Sequence, residues 1–412
     1  MEENASFTSC AHDAVGITTA RMPRHPKIAA STQGLTSRVF SALVPRIKAY
    51  EGETFPLHVG DTWLEPLPAA RAETLATADH PLVHTYPPPH GMEALIEAVA
   101  GKLERRHGVT RTRDEIQIMP GATGALNAII RALLDPGDEV IIPSPFWPLI
   151  RGLIGSRGAV PVQVPFYTRL SEPGVDVEAL LEEAITDRTV AIYLNTPNNP
   201  TGVTLTEAQL DAVANVAKRH DLWVWTDEVY EDIYLHDTPP PAPLWTRPDM
   251  ADRTIATHSM SKAYGLSGTR VGYSHGPADV MTVVRGVQTF VTYCAPRPMQ
   301  VLAARALDQG DEWLAATREA YREQAHKAAD ALGMEVPSGG TFLFFDAKPY
   351  LDEEGDSALP LLLRCVDEAG VILVPGSATG TGYDRWVRLC FTSVGPERLD
   401  RALDGLRKVL GR

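Results

Sequence analysis

Apolar and polar positions along the chain alternate between a helical period and short apolar runs. From Gly91 to Gly108, Leu95, Ile96, Val99 and Leu103 keep the 3.6-residue spacing, and Gly108 supplies a stop. A strand then spans Glu115–Met119, leading into Gly121-Ala-Thr-Gly and a helix to Leu134. The alternation continues. Strands are expected at 139–142, 160–164, 189–194, 222–226 and 254–257, with helices to Ile154, over 176–185 and over 205–220. The helix at 205–220 opens on Thr206-x-x-Gln209, a capping-box variant. Strands that alternate with helices predict a mainly parallel sheet covered on both faces.

The flanks differ. Residues 1–33 carry no clear period and read as an N-terminal arm. Val39, Leu43 and Ile47 begin a helical pattern that Pro45 interrupts, and Phe55–Gly60 reads as a short strand. Beyond Arg297 a long helix over 311–332 leads to strands at 341–345, 371–373 and 386–391, with helices at 361–368 and 397–410. The expected fold is α/β: a three-layer, mainly parallel large domain (76–296) and a smaller α+β domain built from 34–75 and 297–412.

Composition narrows the function classes. The 412 residues are 44% hydrophobic and 22% charged, which is ordinary for a globular chain. A net charge of −14 argues against a general nucleic-acid backbone binder, because phosphate neutralisation needs a basic surface. No apolar run approaches the roughly 18 residues of a membrane span. Cys10, Cys294, Cys365 and Cys390 form no CxxC and no zinc spacing, so neither a disulfide scaffold nor a metal site is expected. Without a secretory pattern, a reducing cytoplasm is the default expectation.

Ligands of open α/β sheets bind beyond the carboxyl ends of the strands. The segments at those ends are Gly121-Ala122-Thr123-Gly124, Asn195-Thr-Pro-Asn-Asn199-Pro-Thr-Gly202, Asp227 with Tyr230, and Ser259-Met-Ser-Lys262 with Arg270. Each segment alone reads equally as a turn, a helix cap or a solvated charge. A Ser-x-x-Lys also marks penicillin-binding serine enzymes, but their Ser-Asp-Asn and Lys-Thr-Gly companions are missing here.

Taken together, Asn198-Asn-Pro-Thr-Gly202, Thr226-Asp-Glu-Val-Tyr230 and Ser259-Met-Ser-Lys262 with Arg270-Val-Gly272 resemble the signature of pyridoxal-phosphate aminotransferases, class I/II, fold type I. Tyr86-Pro-Pro-Pro-His-Gly91, Phe146-Trp147, Gly376 and Arg388 keep the same family order. The resemblance implies pyridoxal 5'-phosphate as cofactor. It gives Lys262 the Schiff base and the proton shuttle, Asp227 the pyridine nitrogen, and Tyr230 and Asn199 the ring oxygen. Ser259, Arg270 and the backbone at Ala122 and Thr123 would take the phosphate. Trp147 would stack on the ring. Tyr86 would reach the phosphate of a neighbouring subunit, which implies a homodimer with shared sites. Arg388, with Gly60 and beside Trp147 and Asn199, would clamp the substrate carboxylate.

The implied reaction moves an amino group from an L-amino acid to a 2-oxo acid. Elimination or cyclisation on the same cofactor uses the same Lys, Asp and Arg and stays open. Asp61-Thr-Trp63 departs from the family's acidic-Pro-Asp segment, so Trp63 is either a pocket wall or local packing. Arg297 is either a second carboxylate contact or a surface charge.

Overall fold

A computed structural model describes residues 27–33, 35, 42–351 and 355–411. Most of the expected arm, and Val39, lie outside them. In chain order the helices are α1 (Val44–Ala49), α2 (Glu93–His107), α3 (Gly121–Leu133), α4 (Leu149–Ser156), α5 (Val177–Glu182), α6 (Glu207–Arg219), α7 (Ala278–Thr292), α8 (Arg297–Gln309), α9 (Asp311–Leu332), α10 (Leu359–Ala369) and α11 (Pro396–Leu410). The strands are β1 (Ile116–Met119), β2 (Glu139–Ser144), β3 (Val160–Pro165), β4 (Thr189–Asn195), β5 (Trp223–Asp227), β6 (Thr254–Ser259), β7 (Gly272–His275), β8 (Phe342–Asp346), β9 (Val374–Pro375) and β10 (Trp386–Cys390).

Seven strands form one sheet in the order β1-β7-β6-β5-β4-β2-β3. Neighbours from β3 to β6 are parallel, and β7 runs against both β6 and β1. Its central strands are buried on both faces, as a sheet covered twice requires: β4, β5 and β6 each leave only one residue partly exposed. On one face Tyr193, Trp225 and Ile142 pack with Ala125 and Ile129 of α3 and Val284 of α7. On the other face Ile192, Leu194 and Val224 pack with Leu181 of α5 and Leu210 and Val213 of α6. The capping box at Thr206 forms: Gln209 N–H donates to the Thr206 hydroxyl, and Thr206 N–H donates to the Gln209 side chain.

Strands β8, β10 and β9 form a separate antiparallel sheet. The early segment joins it: Phe55 N–H donates to Gly370 O at 2.8 Å, and Ile372 N–H donates to Phe55 O at 3.0 Å. Two expectations fail here. Phe55–Gly60 is not a strand, since only Phe55 bridges, to Val371. The strand expected at 371–373 is instead β9, Val374–Pro375, because Val371 is used by that bridge and pairing with β10 begins at Val374. Helix α1 begins at Val44 with Pro45 in its first turn, where a missing N–H costs nothing. Two helices and one strand, α7, α8 and β7, lie where no element was expected.

Candidate active site

The carboxyl ends of β4, β5 and β6 are in register. Asn195 pairs with Asp227, and Asp227 with Thr257. Beyond these ends lies a 230 Å³ cavity. Its walls include Gly60, Ala122, Thr123, Trp147, Asn199, Asp227, Tyr230, Ser259, Lys262, Arg270 and Arg388, drawn from segments more than 300 residues apart in sequence. Asn195, Ser261, Leu126, Val229 and Phe342 complete it, and none of these was expected. Asn195 and Ser261 sit inside the motifs, so position at a strand end was the available signal. Phe342 carried none.

Asp227 is buried. Tyr193 Oη donates to its Oδ2 at 2.6 Å, while Oδ1 has no partner among the described residues. Burial raises its pKa to about 6, the lost hydration outweighing the Tyr193 bond and the nearby His258 and Lys262. Asn195 ties this end of β5 to the next loop: its Nδ2 donates to Asp227 O at 2.8 Å and its Oδ1 accepts from Asn199 N–H at 2.7 Å. Tyr230 stands beside Asn199, whose Nδ2 donates to the phenol at 3.4 Å. Burial raises the Tyr230 pKa and keeps it a neutral phenol.

Lys262 Nζ donates to Gly60 O, and burial lowers its pKa below the ordinary lysine value. Arg388 is buried at the far wall. It donates from Nη1 to Asn199 Oδ1 and from Nη2 to His58 O, both at 2.8 Å, and its guanidinium lies 4.3 Å from the Phe342 ring centroid. Its Nε has no partner, and no described carboxylate pairs with it. At the rim, α3 presents its first-turn N–H groups at Ala122 and Thr123. Arg270 takes a left-handed backbone, φ 54°, and approaches Gly121 so closely that a Cβ there would meet Nη2 at 2.5 Å.

Tyr86 is apart from the other expected residues. It is 77% exposed, outside the cavity of its own chain, and edge-on to Tyr293 at 5.0 Å. Trp63 is likewise absent from the cavity lining and packs on Tyr321 at 5.5 Å. Arg297 donates to the carbonyls of Thr85 and Tyr86, at 3.0 and 2.8 Å, so it holds the Tyr86 loop.

Residues 53–406 match the family described as aminotransferase class I and II. The chain belongs to that family. It is an aminotransferase. It is 34% identical over 334 residues to a probable aspartate/prephenate aminotransferase of Thermus aquaticus, covering 79% of this chain and 83% of that one. It is 35% identical over 348 residues to the arginine–pyruvate transaminase of Pseudomonas aeruginosa, covering 82% and 85%. Among solved structures it is similar to the aspartate aminotransferase of Rhizobium meliloti, with a TM-score of 0.85, 26% identity and coverage of 94% and 100%. A larger cavity of 480 Å³ lies elsewhere; Thr226 and Glu228 of the signature line it, but none of the expected site residues does. The site residues expected from the motifs converge on the smaller one.

Proposed function

We propose that this aminotransferase works as a homodimer, holds pyridoxal 5'-phosphate in the 230 Å³ cavity, and passes an amino group from an L-amino acid to a 2-oxo acid. One observation carries the reading. In a single cavity, Lys262, Asp227 and the Arg388 guanidinium make no ion pair among the described residues, and Asp227 Oδ1 and Arg388 Nε have no hydrogen-bond partner there. Buried charges are retained in this state where a ligand completes them.

The residues fit this cofactor. The orphaned Asp227 Oδ1 suits a protonated ring nitrogen. The α3 N-terminus, Ser259 and Arg270 suit a phosphate, and the close approach of Arg270 to Gly121 leaves room for no side chain between them. When bound, the cofactor supplies an aldehyde that joins an amine and a ring that takes electrons from the substrate Cα.

The chain's own groups do the rest. Lys262 Nζ, desolvated and so more readily unprotonated, supplies the amine and then moves the Cα proton. Asp227 Oδ1 holds the ring proton. The Tyr230 and Asn199 side chains donate to the ring oxygen, and Trp147 covers the ring face. Arg388, backed by Phe342 and aided by Gly60, clamps the substrate carboxylate through its free edge. Tyr86, exposed beside Tyr293, is placed to serve a second subunit rather than its own. For the domain division, 34–75 with 297–412 against 76–296, support comes from the Phe55 bonds to Gly370 and Ile372.

Absorbance titration of the cofactor-saturated protein with single amino acids tests the function. A visible band that bleaches with a donor and returns with a 2-oxo acid is the expected result. A band that regenerates alone while releasing a 2-oxo acid or a cyclic product would overturn transfer in favour of elimination or cyclisation.

A further inference from the structure

Behind Asp227, on the opposite face of the sheet, lies the 480 Å³ cavity. Side chains alternate along a strand, so consecutive residues at the end of β5 serve different sides. Asp227 faces the catalytic cavity, whereas Thr226 and Glu228 line the second one. Its body is apolar: Leu205 and Leu210 on one side, and a wall of Pro239, Pro240 and Pro241 on the other. Its volume is in the range of small-molecule sites.

The floor holds three carboxylates, and two are already paired. Lys102 Nζ lies 2.7 Å from Glu231 Oε1 and 2.8 Å from Asp232 Oδ2, and Arg106 lies 3.0 Å from Asp232 Oδ1. His258 Nδ1 also bonds Glu231 Oε1, at 2.8 Å. Glu228 differs. It is buried, and its hydrogen-bond partner is the indole N–H of Trp245, at 3.1 and 3.2 Å from its two oxygens. No described basic side chain forms an ion pair with it. Burial raises its pKa to about 7, against the pull of the nearby His258 ring, which bonds Glu231 instead. Among the described residues the hydroxyl of Thr226, a residue 2% exposed, has no partner, and neither does that of Thr204 at the same cavity.

Two other occupants fit poorly. Glu228, Glu231 and His258 bring ligand atoms within 4.8 Å of one another, a metal-like spacing. The Lys102 ammonium, however, already occupies the shared Glu231 oxygen. An anion would face three carboxyl groups, while Arg106 is engaged by Asp232. We propose that this cavity is a second binding site, for a small organic amine whose ammonium head pairs with Glu228 and Thr226 and whose apolar body lies against the proline wall. The ammonium gives Glu228 the direct ion pair that His258, bonded to Glu231, does not make, and supplies a donor for the orphaned hydroxyl.

Isothermal titration calorimetry of the holoenzyme with N,N-dimethylbenzylamine tests this. As a tertiary amine it cannot condense with the cofactor aldehyde, and its single N–H serves the Glu228 ion pair. The expected result is one site per chain, with affinity lowered about tenfold or more in Glu228→Gln and in Thr204→Trp, and unchanged in Arg388→Lys. Glu228→Gln keeps an acceptor for Trp245. Thr204→Trp fills the cavity from its partly exposed side, so it decides the matter should the first variant misfold. No binding at millimolar concentration overturns the site. So does equal affinity in the folded Glu228→Gln variant, or a loss confined to Arg388→Lys, which would put the amine in the catalytic cavity.

Discussion

A buried guanidinium with no carboxylate to meet it is costly, and Arg388 bears that cost between Asn199, His58 and Phe342. Its free edge is a fork, which a lysine cannot reproduce. Arg388→Lys is therefore expected to raise KM for the amino acid roughly ten- to a hundredfold, the worth of a charged hydrogen-bond pair, with cofactor affinity unchanged. Equal weakening of both would refute the carboxylate role. Lys262→Ala is expected to bind cofactor yet lose turnover by about a thousandfold or more, as removal of a proton-transfer group does; turnover at the wild-type rate would sink the mechanism. Asp227 carries a pH signature in the cofactor-free protein. Its pKa, raised from 3.8 to about 6, means the folded state binds the proton more tightly than the unfolded one. Its contribution to stability therefore falls as pH rises through that window and is level above it. Melting temperatures of Asp227→Asn and wild type, both without cofactor, should diverge in the variant's favour between about pH 4 and 6; a constant difference would contradict the burial argument.

Among the elements, α3 and β7 meet where backbone crowds backbone. Gly121 sits at φ 75°, and a Cβ there would strike Arg270. Gly121→Ala is expected to weaken cofactor binding about tenfold or more, seen as a shifted absorbance titration, while α3 itself still forms; unchanged affinity would remove Arg270 and this helix end from the phosphate. Helix α7 shows why local pattern misses some elements. It is rich in β-branched residues, Val280, Thr282, Val283, Val284, Val287 and Thr289 among them, which are poor helix formers. Packing of Val280, Met281 and Val284 against the sheet overrides that preference.

Across the whole molecule, the outward side of α7 remains apolar. Val283 and Phe290 are seven residues apart, so they share a face, and Phe290 is 95% exposed. Tyr86 and Tyr293, in mutual contact, extend the exposed apolar surface. Surfaces of this kind mark association sites, and the homodimer proposed above accounts for this one. Phe290→Arg should shift sedimentation from dimer towards monomer and lower activity with it, since Tyr86 then loses its partner site. A dimer of undiminished strength would place the interface elsewhere.

Local pattern alone dictates much of this protein. The alternation of strands and helices predicts a mainly parallel sheet, and segments after its strand ends line the cavity. Periodicity places those segments, and the family resemblance names eleven residues that meet in one cavity. Tertiary structure decided what depends on contacts distant in sequence. It paired Phe55 with Val371 in place of a strand, and it used Trp63 for packing on Tyr321 and Arg297 for holding the Tyr86 loop. It also left a cavity on each face of the sheet beyond β5, one reached by Asp227 and the other by Thr226 and Glu228. Sequence spacing assigns a residue to a face. Only the packed chain decides whether that face meets a partner, a ligand or water.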